Sequence, residues 1–128
     1  MERVTGIGGA FLRAKDPPGL SRWYWEHLGI NPMAEESDET WWQEEGPTVF
    51  APFDVDTDYF GRPEQQWMLN FRVRDLDAML TQLRGAGVAV DDQLETMEGV
   101  GRFGWATDPE GNRFELWEPA PESMRRPG

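Results

Sequence analysis

The feature that most constrains the fold of this chain is an internal repeat. Residues 11–16 read FLRAKD, and residues 70–75, fifty-nine positions later, read NFRVRD. Each copy ends in an aspartate, Asp16 or Asp75, and apolar residues follow at the i, i+3, i+4, i+7 spacing of an amphipathic helix. Because aspartate is a favoured N-cap residue, a helix is predicted to begin after each copy. A repeat of about sixty residues is too long for a solenoid unit and indicates two modules packed side by side.

The sequence after each predicted helix is typical of strands. Gly29 and Gly87 supply the left-handed residue that commonly ends a helix. Strands are predicted near 40–45 and 48–53 in the first copy, and near 102–107 and 112–118 in the second. The order of strand, helix and several strands therefore occurs twice, which predicts an α+β chain of two βαβββ modules.

The composition limits the class of protein and its partners. The chain of 128 residues is long enough for one domain with a core. It contains no transmembrane run or signal-peptide pattern, and its zero cysteines suit a cytoplasmic protein. The formal charge of −12 argues against nucleic acid and anionic membranes as partners. We expect a single domain with modules at about 4–60 and 66–119 and a tail at 120–128.

The most informative local motif is DPEGNRFELW at residues 108–117. Its first half has the residues of a tight turn, and its second half alternates like a half-buried strand. Phe114 and Leu116 are predicted to face the core, so Glu115 points to the other side of an enclosed strand. An unpaired buried carboxylate is unfavourable. Glu115 is therefore a candidate metal ligand, catalytic base, ligand contact or half of an ion pair with an arginine.

Three segments resemble one family when they are taken together. They are the capped helix that ends in HLGI, the helix DLDAMLTQLRGAGV and the hairpin DPEGNRFELWEP. In this combination they resemble the vicinal oxygen chelate superfamily, which includes glyoxalase I, extradiol dioxygenases and bleomycin-resistance proteins. The resemblance extends over residues 4–119. It implies two βαβββ modules whose mixed sheet curls into a cup, often completed in a homodimer.

The resemblance also implies four positions at which metal-dependent members carry ligands. In this chain they are Gly9, Phe50, Met68 and Glu115. Glycine and phenylalanine have no donor atom, and a thioether is too soft for oxygen-preferring ions, whereas a catalytic metal needs about three protein ligands. His27, the only histidine, is expected to pack within the first helix or on its surface. No metal and no cofactor are expected.

Strand alternation and the family alignment together define a set of candidate ligand contacts. These residues are Phe11, Arg13, Phe50, Met68, Asn70, Arg72 and Trp117. Glu115 is the only plausible catalytic base in the expected cup. One of Trp41 and Trp42 should also face the cup, because neighbouring strand residues point to opposite sides.

The leading hypothesis is a metal-free, glyoxalase-like domain that binds a small, partly aromatic and possibly anionic molecule, and that forms a homodimer. An enzyme of the same superfamily, of lyase or dioxygenase type with an atypical or metal-free site centred on Glu115, is the alternative. The ligand count disfavours a metal-dependent enzyme. A non-catalytic subunit or dimerisation module is a further possibility from a different class.

Two weak motif matches and one acidic run complete the sequence-based predictions. Residues 99–104 match GxGxxG, but they precede a hairpin rather than the helix of a dinucleotide site. Residues 54–65 begin like a calcium loop, yet they carry Tyr59 and Gln65 where that loop needs Gly and Glu. The acidic run at 35–39 is predicted to be an exposed loop.

Overall fold

The computed structural model describes residues 1–31 and 40–127, so the acidic run at 35–39 lies outside the described residues. The described elements, in chain order, are α1 (Pro17–Leu28), β1 (Asn70–Arg72), α2 (Leu76–Gly85), β2 (Ala89–Val90), β3 (Glu95–Met97), β4 (Gly101–Thr107), β5 (Arg113–Pro119) and a short 3₁₀ helix (Pro121–Met124). Neither α1 nor α2 has the length and apolar character that a membrane span requires.

Both helices begin at the predicted capping residues. The Asp16 carboxylate accepts a hydrogen bond from the Gly19 amide at 3.1 Å. The Asp75 carboxylate accepts one from the Ala78 amide at 3.0 Å. Each bond satisfies an N–H group that has no partner within its helix. The predicted N-caps are confirmed.

The strands form one mixed sheet. Its order is β1-β5-β4-β2, and β3 pairs with β4. β1 runs parallel to β5, and the other pairs are antiparallel. The chain therefore has an α+β fold, and its mixed sheet is built from the second predicted module.

The first predicted module differs from the expectation. The segments at 1–13 and 40–53 contain no assigned strand, and the described residues do not form a curled cup. A strand exists only where a second backbone supplies hydrogen-bond partners. Within the described residues no second backbone pairs with these segments, and Phe11 and Phe50 are each 87% exposed. The predicted strands near 40–45 and 48–53 are thus not formed in the isolated chain.

The hydrophobic core lies between the helices and one face of the sheet. It is built by Leu76, Leu80, Leu83, Ala106, Phe114 and Leu116, and α1 packs against it through Trp23, Tyr24 and Leu28. The predicted core face of β5 is confirmed. Strand alternation then directs Glu115 away from the helices.

The turn before β5 is held by a buried carboxylate. Asp108 accepts hydrogen bonds from the backbone amides of Glu110 and Asn112 at 2.8 and 3.0 Å. Its other oxygen accepts a bond from the Tyr24 hydroxyl at 2.6 Å. Gly111 takes the positive φ of 85° that the turn requires. The predicted turn is confirmed, and Asp108 additionally connects it to α1.

A side chain takes the place of a neighbouring strand at the start of β5. The Gln65 amide nitrogen donates to the Arg113 carbonyl at 2.8 Å, and the Arg113 amide donates to the Gln65 side-chain oxygen at 2.9 Å. Further along, the Glu115 amide donates to the Leu69 carbonyl at 2.9 Å. The segment 65–69 is therefore fixed beside β5 before β1 begins.

Candidate functional site

The sheet face that points away from the helices carries most of the chemically informative side chains. Glu115 pairs in register with Asn70 of β1 and with Trp105 of β4. Trp117 pairs in the same way with Arg72 and Phe103. Residues in register share a face of the sheet. We call this the open face, and define it by Asn70, Arg72, Phe103, Trp105, Glu115 and Trp117.

Glu115 lies at the centre of the open face and is only 7% exposed. One carboxylate oxygen accepts a hydrogen bond from the Asn70 amide at 2.5 Å. The other accepts one from the Trp105 indole at 3.0 Å and one from the Tyr59 hydroxyl. All three donors are neutral. Since no ion pair in the described ranges includes Glu115, its interpretation as half of a Glu–Arg pair is wrong.

Tyr59 reaches Glu115 from the connection that precedes the second module. Its ring stacks on Phe53 with centroids 5.4 Å apart and meets the edge of Trp105 at 6.1 Å. Burial, together with the hydrogen bond to Glu115, raises the pKa of Tyr59 well above its ordinary value. Sequence reasoning missed this residue. The available signal was the pair of aromatic residues Tyr59 and Phe60 within an otherwise acidic connection.

Arg113 stabilises the neighbouring aromatic residues. Its guanidinium forms an ion pair with Asp91 at 2.6 Å and lies 5.3 Å from the centre of the Trp105 ring. Its Nε donates to the Tyr59 carbonyl at 3.1 Å. Arg113 thus fixes both Trp105 and the segment that carries Tyr59, and Asp91 neutralises its charge.

An aromatic wall lies further along the same face. The rings of Phe103 and Trp117 are stacked 6.0 Å apart and are within 4° of parallel. The Trp117 indole donates to the Val100 carbonyl at 3.0 Å, which fixes the ring. A Cβ atom at Gly101 would overlap this indole, so the close approach requires glycine. Phe103 is only half-buried and presents the accessible edge of the stack.

Arg72 lies next to this wall. Its guanidinium donates to the Glu44 backbone carbonyl at 3.0 Å. Gly46 packs so closely against it that a Cβ atom there would overlap the guanidinium. The Glu44 carboxylate forms an ion pair with Arg74 instead. In the part of the chain that the structure describes, Arg72 therefore has no ion-pair partner.

The structure separates the candidate ligand contacts into groups. Asn70, Arg72, Glu115 and Trp117 come together on the open face. Phe11 and Arg13 instead line a cleft of about 300 Å³, to which none of those four contributes. Phe50 is exposed and Met68 is half-buried. Trp42 is more exposed than Trp41, and the expectation that one of them faces a cup stays a prediction.

The residues at the family's metal positions do not fit a divalent metal. Within residues 1–31 and 40–127, no group of three His, Cys, Asp or Glu side chains could hold an ion. Of the four positions, only Glu115 carries a usable ligand. Its carboxylate already accepts hydrogen bonds from three neutral donors. His27 packs against Trp23 in α1, with ring centres 5.1 Å apart.

Comparison with known proteins identifies a family and solved structures that are similar to this chain. The family described as "Glyoxalase-like domain" matches residues 9–117. Among solved structures, TnmS3, an antibiotic binding protein from Streptomyces sp. CB03234, is 24% identical and has a TM-score of 0.55; the match covers 90% of this chain and all 100% of TnmS3. The fosfomycin resistance protein FosX from Listeria monocytogenes is 14% identical, with a TM-score of 0.62 and coverage of 95% and 97%.

A third structure is a member of the glyoxalase/bleomycin resistance protein/dioxygenase superfamily from Sphaerobacter thermophilus. It is 20% identical, has a TM-score of 0.55, and the match covers 90% of this chain and 98% of that one. At these identities the structural matches establish the fold. No curated protein matches the chain.

Proposed function

This chain belongs to the glyoxalase-like domain family, and on that premise we propose that its open face binds a small, partly aromatic molecule without a catalytic metal. The observation that carries the proposal is the environment of Glu115. A nearly buried carboxylate is surrounded by aromatic rings and neutral donors, and no cation compensates its charge in the described residues.

Glu115 has capacity for one more hydrogen bond. An ionised carboxylate offers about four acceptor positions. The oxygen that faces Tyr59 and Trp105 uses two, whereas the oxygen that faces Asn70 uses one. A hydroxyl or N–H group of a ligand would occupy the remaining position and contribute a charge-assisted hydrogen bond.

Arg72 supplies the complementary charge. It lies diagonally across from Glu115, because Asn70 is opposite Glu115 and Arg72 is two residues further along β1. Diagonal neighbours on a sheet are about 7–8 Å apart, within the span of one small ring. A guanidinium has five donors, and Arg72 makes a single side-chain hydrogen bond within the described ranges. The remaining donors suit a carboxylate or phosphate group.

The aromatic part of the ligand is assigned to the stacked pair of Phe103 and Trp117. A planar ring placed against the half-buried Phe103 would bury apolar surface on both sides. The proposed ligand therefore has a donor group near Glu115, a ring near Phe103 and an anionic group near Arg72. Antibiotic binding by TnmS3, which shares the fold, is a related activity and supports a small-molecule ligand.

We also infer that the chain forms a homodimer. Several large apolar side chains are almost fully exposed in the isolated chain: Val4, Trp42, Phe50 and Val55. Contiguous apolar surface usually marks an interface, and we propose that these side chains contribute to one. In the dimer, the segment at 40–53 would gain a partner, and the two βαβββ modules, at about 4–60 and 66–119, would form a curled cup. A cytoplasmic location is proposed from the zero cysteines alone.

Metal-free acid–base catalysis is the second candidate function. The hydrogen bond between Tyr59 and Glu115 places a proton donor beside a carboxylate in one site. An enzyme that uses Glu115 as its base would lose turnover in Glu115→Gln. In a binding protein without activity, Glu115→Gln would change only the affinity for the ligand.

A ligand screen tests the binding proposal. Thermal stabilisation measures occupancy, since binding contributes RT ln(1 + [L]/Kd). Hydroxybenzoates and aryl phosphates should stabilise the protein more than their neutral or cationic analogues. Arg72→Ala should weaken them about tenfold, the effect of losing one charge-assisted contact. Arg74→Ala is the matched control, because Arg74 is exposed and bound to Glu44. The proposal fails if anionic hits bind Arg72→Ala as tightly as the parent protein.

A further inference from the structure

The cleft that contains Phe11 and Arg13 lies beside the start of β5. It is bounded by the N-terminal segment, by Trp67 before β1 and by Tyr24 of α1, and has a volume of about 300 Å³. Phe114, whose side chain packs into the core, also lines it. Glu115 and the other residues that define the open face do not line this cleft.

The cleft is electropositive on an acidic protein. Three arginines line it, namely Arg13, Arg62 and Arg113, and Glu64 is the one acid, so its formal charge is plus two. Asp91 neutralises Arg113, which leaves a net charge of plus one at the cleft. Neither Arg13 nor Arg62 forms an ion pair within the described ranges. The chain as a whole has a formal charge of −12, so this cleft is a local reversal of sign.

Most other polar groups of the cleft are already hydrogen-bonded. The Tyr24 hydroxyl donates to Asp108, and the Gln65 amide makes two bonds to the backbone of Arg113. Arg62 donates to the Asn112 side chain through one nitrogen at 3.2 Å. The donors that remain are mainly the N–H groups of Arg13 and Arg62, which are suited to an anionic acceptor.

Two aromatic rings remain accessible at the rim of the cleft. Phe11 is 87% exposed, and Trp67 is 50% exposed. A flat apolar ligand between them would remove both rings from water. A volume of about 300 Å³ is at the lower end of small-molecule sites, which suits a ligand of one or two fused rings.

We propose that this cleft is a second binding site, separate from the open face, for a planar aromatic carboxylate. The carboxylate accepts hydrogen bonds from Arg13 and Arg62, and the ring system lies between Phe11 and Trp67. The site goes beyond the proposed function, because it uses none of the residues of the open face.

Calorimetric titration with naphthalene-2-carboxylate tests this site, and the neutral naphthalene-2-carboxamide serves as the ligand control. Arg13→Ala and Arg62→Ala should each weaken binding of the carboxylate about tenfold, as expected for loss of one charge-assisted contact. Arg72→Ala, which alters only the open face, and Arg22→Ala, an exposed arginine of α1, should leave this binding within about twofold, because exposed charges at a distance are screened.

The position of the probe is read independently from the indole signals in ¹H–¹⁵N spectra. The Trp67 signal is assigned by its loss in Trp67→Phe, and it should shift during the titration with parent protein. The proposal is overturned if Trp67 does not respond, if Arg13→Ala and Arg62→Ala bind like the parent, or if the carboxamide binds as tightly as the carboxylate. Loss of binding in Arg72→Ala alone would assign the probe to the open face, which would reject the second site and leave the proposed function intact.

Discussion

The hydroxyl of Tyr59 donates a hydrogen bond to the carboxylate of Glu115, although the two residues are separated by 56 positions in the sequence. Glu115 belongs to a central strand, and Tyr59 belongs to the connection between the two predicted modules. The connection therefore takes part in the candidate site. Substitutions in the connection should therefore alter the environment of Glu115, and substitutions in β5 should alter the packing of Tyr59.

Removing the Tyr59 hydroxyl should destabilise the protein modestly. Tyr59→Phe keeps the ring that stacks on Phe53 and deletes the bond to Glu115. We expect the free energy of unfolding in urea to fall by about 1 kcal/mol, the net value of a typical hydrogen bond. The value is small because Tyr59 is partly accessible to water.

A double-mutant cycle assigns this loss to the contact itself. Tyr59→Phe combined with Glu115→Gln should be non-additive, because the two residues touch. Tyr59→Phe combined with Glu118→Gln should be additive, since Glu118 binds the Leu76 amide at the start of α2. Equal additivity in both pairs would contradict the proposed coupling.

The two tyrosines should resist ionisation in the folded protein. Burial, followed by the hydrogen bond to Asp108, raises the pKa of Tyr24; burial and Glu115 do the same for Tyr59. The unfolded chain releases both protons near its ordinary pKa of 10.0. The stabilisation is complete below that pH and decreases as the pH rises toward the folded values.

Near-ultraviolet titration of tyrosinate checks this expectation, with the protein in denaturant as the control. Tyr24→Phe and Tyr59→Phe should each reduce the loss of stability at alkaline pH. Ionisation of a tyrosine near pH 10 while the protein is still folded would contradict it.

Chelation of divalent metals should leave the protein unchanged. Since Gly9, Phe50 and Met68 supply no suitable donor, EDTA should not alter the Tm, and elemental analysis should detect no stoichiometric metal. About one Zn, Ni, Mn or Fe per chain, lost in Glu115→Ala, would refute this prediction.

The protein should have the mass of a dimer in solution. Light scattering over a concentration series measures this directly, and Phe50→Ser, which changes an exposed apolar residue, should shift the equilibrium toward monomer. A monomeric mass at all concentrations would reject the dimer.

The features that were correctly predicted from the sequence depend on local chemistry. Asp16 and Asp75 cap helices through bonds to residues three positions away. Strand alternation alone directs Glu115 to the face opposite Phe114. Such features require no knowledge of distant contacts.

The remaining features depend on contacts between distant segments. Tyr59 reaches Glu115 through the path of a loop, which no local pattern determines. Arg13 and Arg72 occupy equivalent positions in the repeat, yet β1 pairs with β5 and directs Arg72 to the open face. The segment of Arg13 lacks a ladder partner in the described residues, so its place in the repeat did not predict its surroundings.

The pair of hydrogen bonds between Gln65 and Arg113 has a consequence for the behaviour of the protein in concentrated solution. A strand with unsatisfied backbone groups can template pairing with another molecule, which is a common route to aggregation. β5 extends past the start of β1, and at that point a side-chain amide satisfies the N–H and C=O groups of Arg113. One glutamine therefore protects the beginning of the strand that carries Glu115 from intermolecular β-pairing.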